Sequence, residues 1–242
     1  MDDLKDRGTL QLGGNISASY ANEASLGNNI RSDIYGYYSL DRLKLEYSYS
    51  IDTDYQNDDN YFGSTGKFGS KVVGRTSISF LQYNMKYLKL HFGRMNRNYG
   101  LINTKSLILS NNPFSYDHFT FEVYNRLFKY SYLTTRLEDK LTYDSRDEII
   151  YEQWSKRYFT FHRIDLSVSN NFKFSISESV LYGGSNQNIL PMYINPINIL
   201  FITKMVERKG IEETNANVLI AADIYYKPKS NIVLYSQILI DD

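Results

Sequence analysis

Arg94, Arg97 and Tyr99 stand within one short stretch of the chain, and Asn111, Asn112 and Asp117 follow it closely. Saccharides are held by aromatic faces packing on C–H surfaces and by planar polar groups that read hydroxyls. Arg, Asn, Asp and Tyr in one neighbourhood suit that chemistry. Any ordered polar loop carries the same residue types, so a purely structural role competes with it. Tyr193 and Asn195, with Pro196 and Asn198, form a second candidate set on a stretch too apolar to hang free in water.

Catalytic chemistry finds less support. Asp117, Glu122, Asp165 and Glu178 could supply a glycosidase pair, which needs two carboxyls ~5 or ~6.5–9.5 Å apart, but nothing in their spacing selects two of them. His91, His118 and His162 are scattered without metal-ligand spacing. The sequence has no phosphate-binding Gly-Lys-Ser/Thr loop and no nucleophile elbow. We therefore expect no enzyme, no cofactor and no metal site. The Gly-rich stretch from Gly63 to Gly69 reads as a flexible tip.

His162 and Glu178 interrupt two apolar stripes. If Ser169-Asn170-Asn171 is a three-residue hairpin loop, Val168 pairs with Phe172, Leu166 with Phe174, Ile164 with Ile176, and His162 with Glu178. Two polar breaks then land opposite each other, which reads as a structural pair rather than a catalytic dyad. Phe159 and Phe161 fall on the other parity, so a bulge is expected nearby.

The elements that must position these residues are strands. Asp41-Arg42 joins Ile34–Leu40 to Leu43–Tyr49, and a two-residue turn pairs Leu40 with Leu43, Tyr38 with Leu45, Gly36 with Tyr47 and Ile34 with Tyr49. Ser39 then faces Lys44, Tyr37 faces Glu46 and Tyr35 faces Ser48, giving one apolar and one polar face. Eleven candidate strands lie near 9–20, 31–40, 43–52, 75–84, 87–93, 119–124, 127–136, 157–168, 172–182, 217–226 and 232–240. Short turns at Asp41-Arg42, Met85-Lys86, Asn125-Arg126, 169–171 and 227–231 alternate with long polar stretches near 21–30, 53–74, 94–118, 137–156 and 183–216. That alternation of turn and loop predicts an all-β, antiparallel up-and-down transmembrane β-barrel with its short turns on one side of the membrane. The apolar Tyr193 segment is expected in the lumen or against the rim, where Pro196 costs no ladder bond. No helical periodicity is long enough for a plug domain.

Composition agrees. Lys and Arg number 27 and Asp and Glu 27, a zero net charge that argues against a nucleic-acid partner. No run approaches the ~20 apolar residues of a membrane helix, so any span is by strands. There is no cysteine, while Tyr numbers 23 and Phe 13, a supply suited to the aromatic girdles of outer-membrane barrels. The first residues lack the basic region and apolar core of a signal peptide. An odd strand count and a last strand that stops in its apolar run predict one barrel segment, residues 1–242, truncated at both ends.

Several segments together resemble the capsule-assembly Wzi family of bacterial outer-membrane proteins. They are Gly93-Arg94-Met95-Asn96-Arg97-Asn98-Tyr99-Gly100, where the family usually ends in Trp-Gly, and Ser110-Asn111-Asn112-Pro113-Phe114-Ser115-Tyr116-Asp117. Arg157 to Leu166, Ser177 to Gly184, Met192 to Asn198, Asn217 to Leu219 and Leu234 to Asp242 follow in order. The resemblance implies a barrel of about eighteen strands, in the bacterial outer membrane, that binds or anchors capsular or other surface polysaccharide as a lectin, without catalysis. Its partners would be that polysaccharide and outer-membrane lipid. A general porin or transporter barrel is the alternative reading, and a β-rich glycoside-active enzyme a more distant one.

Overall fold

The computed structural model describes residues 8–19, 29–52, 66–68, 71–101, 106–110, 115–146, 149–206 and 216–241. They form an all-β, antiparallel up-and-down architecture. Its strands are β1 (Thr9–Ser19), β2 (Asn29–Leu40), β3 (Leu43–Asp52), β4 (Gly66–Phe68), β5 (Lys71–Asn84), β6 (Leu88–Met95) and β7 (Tyr116–Tyr124). β8 (Phe128–Arg146), β9 (Ile149–Ser167) and β10 (Phe172–Gly184) follow. Two short helices, α1 (Pro191–Ile194) and α2 (Leu200–Val206), precede β11 (Asn217–Lys229) and β12 (Ile232–Asp241).

The chain divides into two compact units, residues 1–96 with 111–116, and residues 97–110 with 117–242. In the first, β1, β2, β3, β5 and β6 neighbour one another in that order and β4 pairs with β5. In the second, β7 to β12 follow chain order.

Within the first unit the β2–β3 register is the one that the Asp41-Arg42 turn dictates, from Leu40↔Leu43 to Ile34↔Tyr49. Asp41 takes φ 47°, a left-handed conformation that Asp tolerates. Ser77 is skipped where β3 and β5 change register and donates its hydroxyl to Ser48 O at 3.2 Å. That bulge, and a Phe80–His91 ring contact at 4.7 Å, explain why apolar residues fall on both faces of β5. Gly93 opposes Phe80 at φ 132°, and a Cβ there would come within 2.2 Å of Ser79 O. Only glycine fits.

In the second unit the hairpin at 169–171 keeps its expected register, and the turn expected at Asn125-Arg126 falls one residue later. Where a five-residue turn was expected at 227–231, β11 runs on to Lys229 with a register shift after Tyr226. Asn125 N–H donates to Phe128 O at 2.8 Å and Ser169 N–H to Phe172 O at 3.1 Å, while the side chains of Asn125 and Ser169 accept from the turn amides. The β9–β10 register runs from Ser167↔Lys173 through Ile164↔Ile176 and His162↔Glu178 without a shift. No shift separates Phe159 and Phe161 from His162 in this pairing, and both face the polar side; the bulge nearest them is on β8, opposite Arg157 and Ser155. The stretch 137–156, expected as a loop, instead extends β8 and β9 into one long hairpin with its bulge at Leu137/Lys140. That shift and the charges from Arg136 to Lys140 mask the alternation in the sequence, although Thr142, Tyr143, Ile149 and Ile150 are strand formers. β4 likewise falls in a stretch expected to be a flexible tip.

The two faces of this sheet differ in kind. Ile164, Leu166, Ile176, Ile224, Ile238 and Ile240 are exposed on one. The other carries Ser131, Arg163, Ser175, Ser177, Ser179 and Asp223, all buried.

Candidate functional site

Register places a row of polar residues straight across five strands of the polar face. Lys129 on β8 opposes Asp165 on β9, which opposes Ser175 on β10, then Asp223 on β11 and Gln237 on β12. Lys129 Nζ lies 3.1 Å from Asp165 Oδ2. Ser175 donates its hydroxyl to Asp223 Oδ2 at 3.0 Å, and Gln237 donates its amide to Asp223 Oδ1. Two residues from Asp165 and on the same face, Arg163 ties the row together. Its Nε donates to Asp165 Oδ1 at 2.6 Å, and Nη2 reaches both Ser175 Oγ and Asp223 Oδ2 at 2.6 Å.

Arg163 has its Nη1 left over for the chain that precedes β7, and this nitrogen donates to Tyr99 O at 3.0 Å. Leu107 N–H donates to Gln237 Oε1 at 2.6 Å, Tyr99 N–H to Leu109 O at 3.1 Å, and Ser106 N–H to Asn98 Oδ1 at 3.0 Å. Tyr99 packs its ring on Phe161 with centroids 4.6 Å apart, and Arg97 Nε donates to His118 Nε2 at 2.9 Å. Residues 97–101 and 106–110 thus lie on the polar face between β7 and β12, strands five interstrand spacings or ~24 Å apart. A buried guanidinium that has lost its water is stable only with its donors filled, and here carboxylates, a hydroxyl and a carbonyl fill them.

The residues expected at a saccharide site separate. Arg97 is partly exposed and Asp117 is exposed, its carbonyl accepting from the Thr135 hydroxyl. Tyr99 is buried, and that burial pushes its phenol up to about 12. Arg94 belongs to the first unit, on β6 opposite Ser79. Asn111 and Asn112 lie outside the described residues. Sequence reasoning noted Asp165 only as a stray acid and passed over Arg163 and Asp223. The turn at 169–171 gave the β9–β10 register, but β10 and β11 are joined through a long connection that left their pairing open.

The Tyr193 segment, expected in the lumen or against the rim, packs on the apolar face beside the end of β10 and the start of β11. Tyr193, fully buried, sits with Leu200 against Tyr158, Val180, Tyr182 and Val218. Tyr182 stacks on Tyr158 at 5.3 Å and meets Tyr193 at 5.0 Å. Asn195 is exposed and shapes the turn after α1, its Oδ1 accepting Ile197 N–H at 3.0 Å. His162 and Glu178 are brought together as expected, with Nδ1 and Oε1 3.6 Å apart. The closer partners of Glu178 are the N–H groups of Leu200 and Phe201, at 3.1 and 3.3 Å. Its carboxylate therefore caps α2, satisfying amides that a helix start leaves open. That role had no signal in the hairpin, because α2 comes from the next long connection.

Comparison with curated proteins and with solved structures returns no match. A family model, that of the capsule assembly protein Wzi, matches residues 11–217. The match covers most of both units, including Arg163, Asp165 and Ser175 of the polar row and the helices packed on the apolar face, and by it this chain belongs to the capsule assembly protein Wzi family.

Proposed function

We propose that both units are stretches of the wall of an outer-membrane β-barrel that anchors surface polysaccharide, with the apolar face toward lipid and the polar face toward the lumen. The observation that carries the reading is the separation of the faces. Large apolar side chains stand exposed along one, where water would penalise them, while the other buries a hydrogen-bonded row of charges. Family membership supplies capsule assembly as the setting.

In this reading the protein binds without catalysing. The carboxylates of Asp165 and Asp223 are engaged by Arg163, Lys129, Ser175 and Gln237, which suits a frame better than an acid–base pair. We assign Arg97 and Asp117, which reach solvent, to the saccharide, with Arg94, Asn111 and Asn112 as further contacts. Tyr99, Tyr193 and Asn195 serve the frame that holds them. The test is retention of polysaccharide by cells carrying Arg97→Ala, Asp117→Ala or both in the full-length protein. Released polysaccharide should rise at equal amounts of folded barrel. Unchanged retention in the double variant would remove these residues from the site.

A further inference from the structure

We propose that residues 185–206 form an elbow that lies inside the bilayer, between the outer wall of the barrel and the acyl chains of the lipid. The proposal rests on the outer-membrane reading above, which puts Tyr193 and Asn195 in the frame without saying what their segment faces.

Position comes first. The elbow covers the apolar face, the same face that displays Ile164, Leu166, Ile176 and Ile224 uncovered beside it. On β10 it contacts Glu178 and Tyr182, six and ten residues beyond the strand start at Phe172. At a rise of ~3.3 Å per residue and a tilt of about 45°, these positions stand roughly 14–23 Å above the short turn, within an apolar band ~25 Å tall.

Chemistry agrees with that depth. Irregular backbone at membrane depth is stable only when its polar groups find partners within the protein. Here the wall supplies them. Tyr130 and Tyr132 donate their hydroxyls to Pro196 O and Ile194 O, Tyr158 donates to Gln187 O, and the Tyr182 hydroxyl accepts Leu190 N–H. Asn198 Nδ2 donates to Met192 O at 2.9 Å, and Glu178 takes the first amides of α2. A loop in water would have no need of four tyrosines aimed at its main chain.

The outer side of the elbow is mainly apolar from Ile197 to Val206, while Asn186, Asn188 and Asn195 are exposed on the stretch before it. Ile197 is 88% exposed, and Ile199, Ile202, Met205 and Val206 are exposed with it. Ile197, Ile199, Ile202 and Val206, with Met192, line a shallow groove. It continues the surface of the uncovered strands, so the occupant that fits is the one bathing those strands, the acyl chains.

The experiment uses the full-length protein in phosphatidylcholine vesicles, with single nitroxide labels at Ile202, Leu166 and Lys173. Oxygen partitions into acyl chains and a nickel chelate into water, so collision rates with each place the label. Ile202 should match Leu166, accessible to oxygen and shielded from nickel, while Lys173 should show the reverse. A nickel-accessible Ile202 beside a lipid-exposed Leu166 overturns the elbow and leaves the barrel standing. An Ile202 shielded from both reagents also overturns it, because a second copy or another protein then covers the groove. Nickel access at both Ile202 and Leu166 removes the outer-membrane reading itself.

Discussion

Arg163 and Asp223 meet at 2.6 Å across an intervening strand, with Ser175 of β10 bonded to both. The same guanidinium holds the carbonyl of Tyr99, so one side chain fixes the β9–β11 wall and the segment crossing it. Removing one partner leaves the other charge buried and unmatched, at a cost of about 3–5 kcal/mol.

Arg163→Ala and Asp223→Ala should therefore each lower folding stability in lipid by about that amount, and the double variant by less than their sum. Folding of the full-length barrel into vesicles at graded urea measures it. Arg163→Ala should also expose the chain around Tyr99 to protease, which Asp223→Ala does less, since of the two only Arg163 bonds to Tyr99. Additive losses would show that the two charges do not act as a unit.

Glu178 and His162 should differ in weight. Glu178→Ala strips two amides at the start of α2 and should cost about 1–3 kcal/mol. His162→Ala, with a contact of 3.6 Å, should cost less. Coupling between them should be small, because the carboxylate is engaged chiefly by Leu200 and Phe201. Glu178→Gln keeps one acceptor oxygen and should recover part of the loss. A strong His162–Glu178 coupling in a double-mutant cycle would reverse that ranking.

Gly93→Ala should destabilise the first unit. It combines a φ of 132° with a Cβ 2.2 Å from Ser79 O, so the backbone of β5 or β6 must move. The strain of such a conformation is of order 1–3 kcal/mol before any clash. Thermal unfolding of Gly93→Ala against Gly36→Ala, where the nearest atom is the Leu12 side chain at 3.2 Å, isolates the backbone effect. Equal melting shifts would contradict it.

The two faces make a further prediction. Tyr47→Arg places a cation on the apolar face five residues from the turn and should cost about 2–4 kcal/mol in lipid, whereas Glu46→Arg, next to it on the polar face, should cost under about 1 kcal/mol. Labels at Leu45 and Glu46 should correspondingly report lipid and water. Equal effects at both positions would refute the facial assignment.

The sequence by itself determines most of the strands and the registers of two hairpins, those closed at Asp41-Arg42 and Ser169-Asn170-Asn171. Asp41-Arg42 and Ser169-Asn170-Asn171 leave the chain almost no freedom, and the alternation of apolar residues removes the rest, since a one-residue slip turns every side chain to the wrong face. His162 opposite Glu178 was legible for that reason. Long connections impose no such constraint, because closing a longer loop costs little more than closing a shorter one and selects no register. So the pairing of Ser175 with Asp223, and with it the Arg163 row, was settled by the packed sheet. Which face of the sheet the Tyr193 segment packs on was equally undecided. Only the assembled wall, with Tyr130, Tyr132, Tyr182 and Glu178 turned toward its main chain, decided that.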